Sequence, residues 1–290
     1  ILMLVLAFPD YATPAEALAA ELAADFDIVD LHRFPDGESR LRLPARLPER
    51  VLFCRSLDWP NEKLTELMLA AETARTLGAR HLTLVAPYLC YMRQDMAFQP
   101  GEAVSQRIVG GFLARLFDSL ITVDPHLHRV RTLADAVPAT RALALSAAPA
   151  MGAFLAARGG RPLLVGPDRE SEQWVQAAAA VGNLDFVVAD KTRRGDRSVE
   201  IQLPAHDYAG ADTVLVDDMV STGRTLAVAA RALCQAGAAR VDVLVTHALF
   251  VGDALDTLKG AGVAEIWSSD SIAHVSNAFA LAPTLAAAVV

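Results

Sequence analysis

The run Thr213-Val214-Leu215-Val216-Asp217-Asp218-Met219-Val220-Ser221-Thr222-Gly223-Arg224-Thr225-Leu226 concentrates residue types that can do chemistry. An apolar strand delivers two adjacent carboxylates to its C-terminal end, and a loop of small hydroxyl residues with Gly223 then opens a helix. Unpaired N–H groups and the dipole at a helix N-terminus favour negative charge, and the Ser221, Thr222 and Thr225 hydroxyls add donors around it. Asp217 and Asp218 can accept hydrogen bonds from two neighbouring sugar hydroxyls, which a single carboxylate does less well. The run therefore reads as an anion cradle beside a diol clamp; the plainer alternatives are an acidic strand end of the Walker-B kind or a capped helix. Upstream, Lys191 and Arg193 stand two apart in a polar run to Ser198 with a mobile character. Alternate residues of an extended segment share a side, so these cations can clamp phosphate oxygens as charge moves during transfer. Arg194 and Arg197 would support them; a solvated basic hairpin is the competing reading.

Positioning such groups falls to elements that the apolar pattern lays out. Short β-branched runs alternate with longer runs of helical spacing, the signature of an α/β fold with a mainly parallel sheet. Strands are expected near Leu2–Ala7, Phe26–Leu31, Val51–Cys54, His81–Ala86 and Leu120–Val123, then near Pro162–Val165, Asp185–Val188, Thr213–Val216, Arg240–Val245 and Glu265–Trp267. Helices fill most gaps between them. The 290 residues are enough for two domains. The boundary falls in the small-residue stretch before Gly159-Gly160, giving domains of 1–145 and 146–290.

Composition removes other classes. With 53% hydrophobic and 21% charged residues, collagen-like, coiled-coil and disordered chains drop out. A net charge of −8 provides no global field for nucleic acid or an anionic membrane, so a phosphate ligand must be held by local loops. Three widely spaced cysteines without a CxxC pair argue against a disulfide framework and fit a reducing cytoplasm. The apolar run Ile1 to Phe8 lacks a basic leader and reads as a buried strand, and Ala278 to Val290, interrupted by Pro283, reads as a docked helix; neither is long enough to span a membrane.

The Asp217-Asp218 run resembles the phosphoribosyl-binding loop of the type I phosphoribosyltransferase fold. Phe34-Pro35-Asp36-Gly37-Glu38, Tyr91-Met92-Arg93-Gln94-Asp95, Asp124-Pro125-His126, Gly166-Pro167-Asp168 and Lys191-Thr192-Arg193 follow the order and spacing of ribose-phosphate pyrophosphokinases. The short loop Met96 to Ser105 is similar to that of compact archaeal-type members. The resemblance spans nearly the whole chain and implies two tandem phosphoribosyltransferase-like domains. It further implies transfer of the β,γ-diphosphoryl group of ATP to the C1 hydroxyl of ribose 5-phosphate, giving phosphoribosyl pyrophosphate (PRPP) and AMP. Neither GxxxxGK[ST] nor GxGxxG occurs, so ATP must be gripped differently. On the family pattern, Phe34 stacks on adenine while Asp36 and Glu38 hydrogen-bond it from a neighbouring subunit of a homo-oligomer, and Arg93, Gln94 and Asp95 line the rest of the nucleotide site. Taken alone, FPDGE reads better as an exposed, inert Pro-Asp-Gly turn, and Arg93 to Asp95 as a solvated loop; their joint presence favours the nucleotide site.

The family pattern also pairs His126 with Asp168 on Mg2+, for which imidazole alone is a poor ligand, and places its catalytic Lys-x-Arg on Lys191 and Arg193. Asp217, Asp218 and the Ser221, Thr222, Gly223, Thr225 loop then hold ribose 5-phosphate. His128 breaks the spacing and, like His32, His81, His206, His247 and His274, reads as a surface or packing histidine. The chain departs from the family at Arg169-Glu170, where a small glycine-containing turn is usual, and at Arg224. A phosphoribosyltransferase consuming PRPP, or a non-catalytic regulatory homologue, would share the Asp217-Asp218 loop; the ATP motifs and the retained Lys191, Arg193 and His126 favour the kinase.

Overall fold

The computed structural model describes residues 3–127, 129–194 and 198–289, with the side chains of residues 192–199 outside that description. His128 and Arg197 therefore lie outside the described residues, as does the side chain of Arg193. Backbone contacts divide the chain into one unit of residues 1–145 with 281–290 and another of residues 146–280.

The first unit runs β1 (Met3–Ala7), α1 (Ala12–Glu21), β2 (Asp25–Ile28), β3 (Asp30–Arg33), β4 (Ser39–Arg42), β5 (Arg50–Cys54), α2 (Pro60–Thr76), β6 (His81–Val85), α3 (Ser105–Leu116), β7 (Ser119–Val123), α4 (Leu133–Ala136) and β8 (Arg141–Leu145). Six of these strands form a parallel sheet in the order β2-β1-β5-β6-β7-β8. Leu52 to Cys54, Leu84, Val85, Leu120 and Ile121 are all buried, as expected of parallel strands covered by helices. Where one strand over Phe26–Leu31 is expected, two form. Buried Val29 donates its N–H to Ala7 O at 2.8 Å, and the chain then leaves the sheet into the separate β3–β4 hairpin.

The second unit repeats the grammar: α5 (Ala148–Arg158), β9 (Leu163–Gly166), α6 (Glu172–Gly182), β10 (Phe186–Val188), β11 (Asp190–Arg194), β12 (Ser198–Gln202), β13 (Asp212–Val220), α7 (Arg224–Gln235), β14 (Arg240–Ala248), α8 (Ala254–Lys259), β15 (Ile266–Ser269) and β16 (Asn277–Phe279). Its parallel sheet has the order β10-β9-β13-β14-β15-β16. The polar run expected to be a mobile loop is instead paired: Asp190 to Arg194 lie antiparallel to Ser198 to Gln202. Expecting β13 to stop at Val216 is also short, because the strand continues through both aspartates to Val220.

The terminal helix α9 (Ala282–Val289) packs on α1 and the β7–β8 edge, and Arg141 Nη2 donates to Ala288 O at 2.7 Å. The expected second domain, 146–290, thus gives up its last ten residues to the first unit. Leu281 and Leu285 are buried, and an apolar helix must cover its face with whatever apolar surface it reaches. Among the described residues no helix is long and apolar enough to cross a membrane.

Candidate active site

Each sheet reverses its direction of growth once, between β1 and β5 in the first unit and between β9 and β13 in the second. Open α/β sheets bind ligands outside the carboxyl ends of strands at such a switch point. In the second unit Asp168 follows β9 and Asp217-Asp218 are the sixth and seventh of the nine residues of β13, so the switch gathers three of the expected site residues.

Asp168 caps the short turn Arg169–Ser171: its Oδ1 accepts from the N–H groups of Glu170 (3.1 Å) and Ser171 (3.3 Å). Its Oδ2 accepts from Lys191 Nζ at 3.0 Å, with both side chains largely buried. One residue after Asp168 and one before Lys191, Arg169 Nε donates to Asp190 Oδ1 at 2.8 Å. These two crossed pairs tie the start of β11 to the β9 loop, and they give Arg169, a departure from the family turn, a partner. Asp190 also holds the exposed Arg169 guanidinium protonated to still higher pH. Arg193 lies two residues on in β11, as the alternation of an extended segment requires.

Asp217 Oδ1 accepts the Asp218 N–H at 3.0 Å. Burial, then the charges of Asp218 and Asp168, push the Asp217 carboxyl well above the ordinary 3.8, and Lys191 opposes them. Asp218 is buried at 3% exposure. Mutually repelling carboxylates at a sheet switch point are an acceptor set short of positive charge. The oxygen donors fit a hard divalent cation, although both Asp168 oxygens are already engaged and a metal there would compete with Lys191. Among the described residues no group of three or more His, Cys, Asp or Glu side chains stands arranged as a metal shell. His126, half-buried just after β7, belongs to the first unit.

The cradle follows directly. Phe250 N–H donates to Val220 O at 3.0 Å and Val251 N–H to Ser221 O at 2.9 Å, pinning the loop as it leaves β13. Gly223 begins α7 at φ +72°, and a Cβ there would stand 3.3 Å from both Ala254 O and Leu258 Cγ. Glycine is required for both reasons. No side chain caps α7 and its first turn holds no acid, so its leading N–H groups remain available to an anion. Ser221 and Thr225 are half-buried beside them, and Thr222 is exposed.

The nucleotide candidates lie in the first unit. Phe34 to Glu38 form the tip of the β3–β4 hairpin, closed by Phe34 N–H to Glu38 O (2.8 Å) and Gly37 N–H to Phe34 O (3.0 Å). Asp36 Oδ1 accepts the Glu38 N–H at 3.1 Å, Asp36 and Glu38 are exposed, and Phe34 is 42% exposed with His32 edge-on to its ring. Arg93 is exposed, and Gln94 Oε1 accepts from Ser105 Oγ at 3.2 Å. Asp95 is buried, its carboxylate bound by Arg129 Nη1 at 2.6 Å and the Arg129 N–H at 3.1 Å. Burial raises its proton affinity, but Arg129 outweighs burial and holds it below the usual carboxylate range. Asp95 is thus already spent on Arg129, which the sequence reading did not single out. Arg55 is buried directly after apolar β5, where a cation demands acids nearby, and Asp10 and Glu66 supply them.

Comparison with known proteins fits this geometry. Residues 3–116 match the model for the N-terminal domain of ribose phosphate pyrophosphokinase, and residues 140–266 that for the phosphoribosyl transferase domain. The chain is 35% identical over 290 residues to a ribose-phosphate pyrophosphokinase of Methanopyrus kandleri, covering 99% of this chain and 98% of the relative. It is 32% identical to that of Saccharolobus solfataricus, covering 89% of each. A crystal structure of phosphoribosylpyrophosphate synthetase from Mycobacterium smegmatis superposes with a TM-score of 0.82 at 22% identity, over 100% of this chain and 98% of that one, and shares its fold. The chain belongs to the ribose-phosphate pyrophosphokinase family, and its activity is that of a ribose-phosphate diphosphokinase.

Proposed function

We propose that the chain moves the β,γ-diphosphoryl group of ATP to ribose 5-phosphate. The C1 hydroxyl oxygen attacks the β-phosphorus, the bond to the α-phosphate oxygen breaks, and PRPP and AMP leave as the hydroxyl proton passes to solvent. The observation that carries this reading is the β9–β13 switch point, where Asp217 and Asp218 stand beside the uncapped N-terminus of α7 with Lys191 held at its edge. Ribose hydroxyls satisfy the two carboxylates and the 5-phosphate takes the α7 amides with the Ser221, Thr222 and Thr225 hydroxyls. Lys191 and Arg193 stabilise charge on the transferring group. On the family pattern His126 in the first unit and Asp168 in the second would each be a ligand for magnesium, and the ion would supply charge neutralisation to the polyphosphate. No side chain is assigned as a general base.

ATP is the donor on this reading. Phe34 stacks on adenine, Asp36 and Glu38 take its edge, and Arg93 and Gln94 line the rest, with Asp95 acting through Arg129. A tip this exposed suits an adenine site shared between subunits of a homo-oligomer. A cytoplasmic location is part of this reading, on three widely spaced cysteines with no CxxC pair. A phosphoribosyltransferase that consumes PRPP has no use for the nucleotide elements of the first unit. Incubation with magnesium, ATP and ribose 5-phosphate should yield AMP and PRPP by mass spectrometry; ADP in place of AMP, or AMP formed equally without the sugar, would refute the assignment.

A further inference from the structure

The first unit has the same kind of switch point as the second, but its own side chains fill it. Asp10 follows β1 and Arg55 follows β5, as Asp168 and Asp217 flank the corresponding gap in the other unit. Arg55 is fully buried, its guanidinium 4.0 Å over the Phe8 ring, its Nε 3.1 Å from Asp10 Oδ1 and its Nη2 2.6 Å from Glu66 Oε2. Lys63 closes the front, 2.9 Å from Asp10 Oδ2 and 2.7 Å from Asp58 Oδ1. A crevice that would serve a ligand is instead a set of internal ion pairs centred on the fully buried Glu66 of α2.

Glu66 reaches outward as well. Its Oε1 accepts from Arg33 Nε at 2.8 Å and from Ser39 Oγ at 3.0 Å. Arg33 and Ser39 are directly opposite partners, the last pair of the β3–β4 ladder before the Phe34–Glu38 turn. Opposed residues of an antiparallel pair project to one face, so a single carboxylate grips both feet of the turn. We infer that Glu66, anchored from behind by Arg55, is a positioning residue for the nucleotide: through Arg33 and Ser39 it fixes the hairpin that presents Phe34, Asp36 and Glu38. The inference rests on the proposed adenine role of that turn. Burial by itself would raise the Glu66 pKa, yet the Arg33 and Arg55 guanidiniums hold it below the usual range, so the carboxylate that does the gripping stays charged.

The test uses the full chain in its assembled state, with Glu66→Gln, Arg33→Met and Ser39→Ala beside Phe34→Ala, read by steady-state kinetics and by hydrogen exchange at the Phe34 and Gly37 amides. Glu66→Gln should raise KM for ATP about tenfold, the loss expected for charge-assisted hydrogen bonds that order a site, with kcat and KM for ribose 5-phosphate within about twofold of wild type. Both amides should exchange faster. If Glu66→Gln does not fold, the Arg33→Met/Ser39→Ala pair carries the same expectation, since neither residue is buried with the core. Wild-type exchange in folded variants would overturn the clamp, and so would an unchanged KM for ATP where Phe34→Ala raises it, or an equal loss in kcat and both KM values. Faster exchange while Phe34→Ala itself leaves KM for ATP unmoved would overturn the adenine role of the turn, and the positioning role with it, while the mechanical clamp stands.

Discussion

Lys191 and Asp168 meet at 3.0 Å in a largely buried pair, so removing the lysine leaves an uncompensated acid and, on the proposed mechanism, takes a charge away from the transferring phosphoryl group. Lys191→Ala should lower kcat by roughly 10²-fold or more while KM for ribose 5-phosphate stays nearly constant, because the charge acts on the transition state; initial-rate measurements with unchanged kcat would take Lys191 out of the mechanism. Asp217 makes the opposite trade. Burial and the neighbouring Asp218 and Asp168 charges raise its folded-state pKa above the 3.8 of the unfolded chain. A raised value favours folding fully below the unfolded pKa, and that contribution is lost as pH climbs through the folded one. Ionising Asp217 therefore costs the fold stability. Asp217→Asn should raise Tm by roughly 2–8 °C at pH 7, for ~1–2 kcal/mol in a chain of this size, with the gain fading as pH falls toward 3.8 and gone below it. The same variant, and Asp218→Asn, should weaken ribose 5-phosphate binding by roughly 1–3 kcal/mol by calorimetry, since an amide is a poorer acceptor for ribose hydroxyls. Normal affinity in both would reject the diol clamp.

The α7 entry shows how an element can be built for function at a cost in stability. A helix start with an ordinary Ser, Thr or Asp cap would fill the N–H groups that Gly223 leaves open. Gly223→Ala meets a left-handed φ and contacts of 3.3 Å at once. It should destabilise the chain by roughly 1–3 kcal/mol in urea titration and raise KM for ribose 5-phosphate about tenfold; an alanine variant with wild-type stability and KM would show that neither the turn nor the close approach matters. This loop was legible in sequence because strand, acids, hydroxyls and glycine are contiguous, and each has a local physical meaning. The parallel strands were legible for a similar reason, as runs such as Val51 to Cys54 are apolar throughout. Other elements were not. The β3–β4 and β11–β12 hairpins are short, mostly polar two-stranded ribbons outside the main sheets; β12 alternates Val199 and Ile201 over too few residues to stand out, and β3–β4 is seated by contacts such as Glu66 to Ser39 that are remote in sequence. The same remoteness hid the Arg129 partner of Asp95 and the Asp190 partner of Arg169.

At the scale of the whole molecule, the two units share a sheet plan but use their switch points differently. The second places Asp168, Asp217 and Asp218 at the gap between β9 and β13, carboxylates that Lys191 only partly offsets, whereas the first sets Arg55 against Asp10 and Glu66 at its own. On the proposed reading the first unit meets the nucleotide through an outlying hairpin, and the tip of that hairpin is exposed, with Phe34 presenting 42% of its surface. An aromatic ring held out from the fold and carried on a buried ion-pair base is suited to complete a pocket on another copy of the chain. Phe34→Ala and Lys191→Ala each disable a different half of such a shared site, one in the adenine platform and the other in the phosphoryl clamp. Every site in either homo-oligomer is then defective. In mixed oligomers some interfaces join an intact Phe34 from one chain to an intact Lys191 from its neighbour, so two nearly inactive preparations should recover part of the wild-type rate when mixed, about a quarter of it for equal, random exchange in a dimer-based site. Native mass spectrometry would establish that the mixed species exist, and the rate would be followed as AMP release. Recovered activity that grows with the mixed fraction is the expected result. Mixed oligomers as inactive as their parents, or full wild-type activity from a monomer in sedimentation, would show that each chain builds its own complete site and that the exposed hairpin has another purpose.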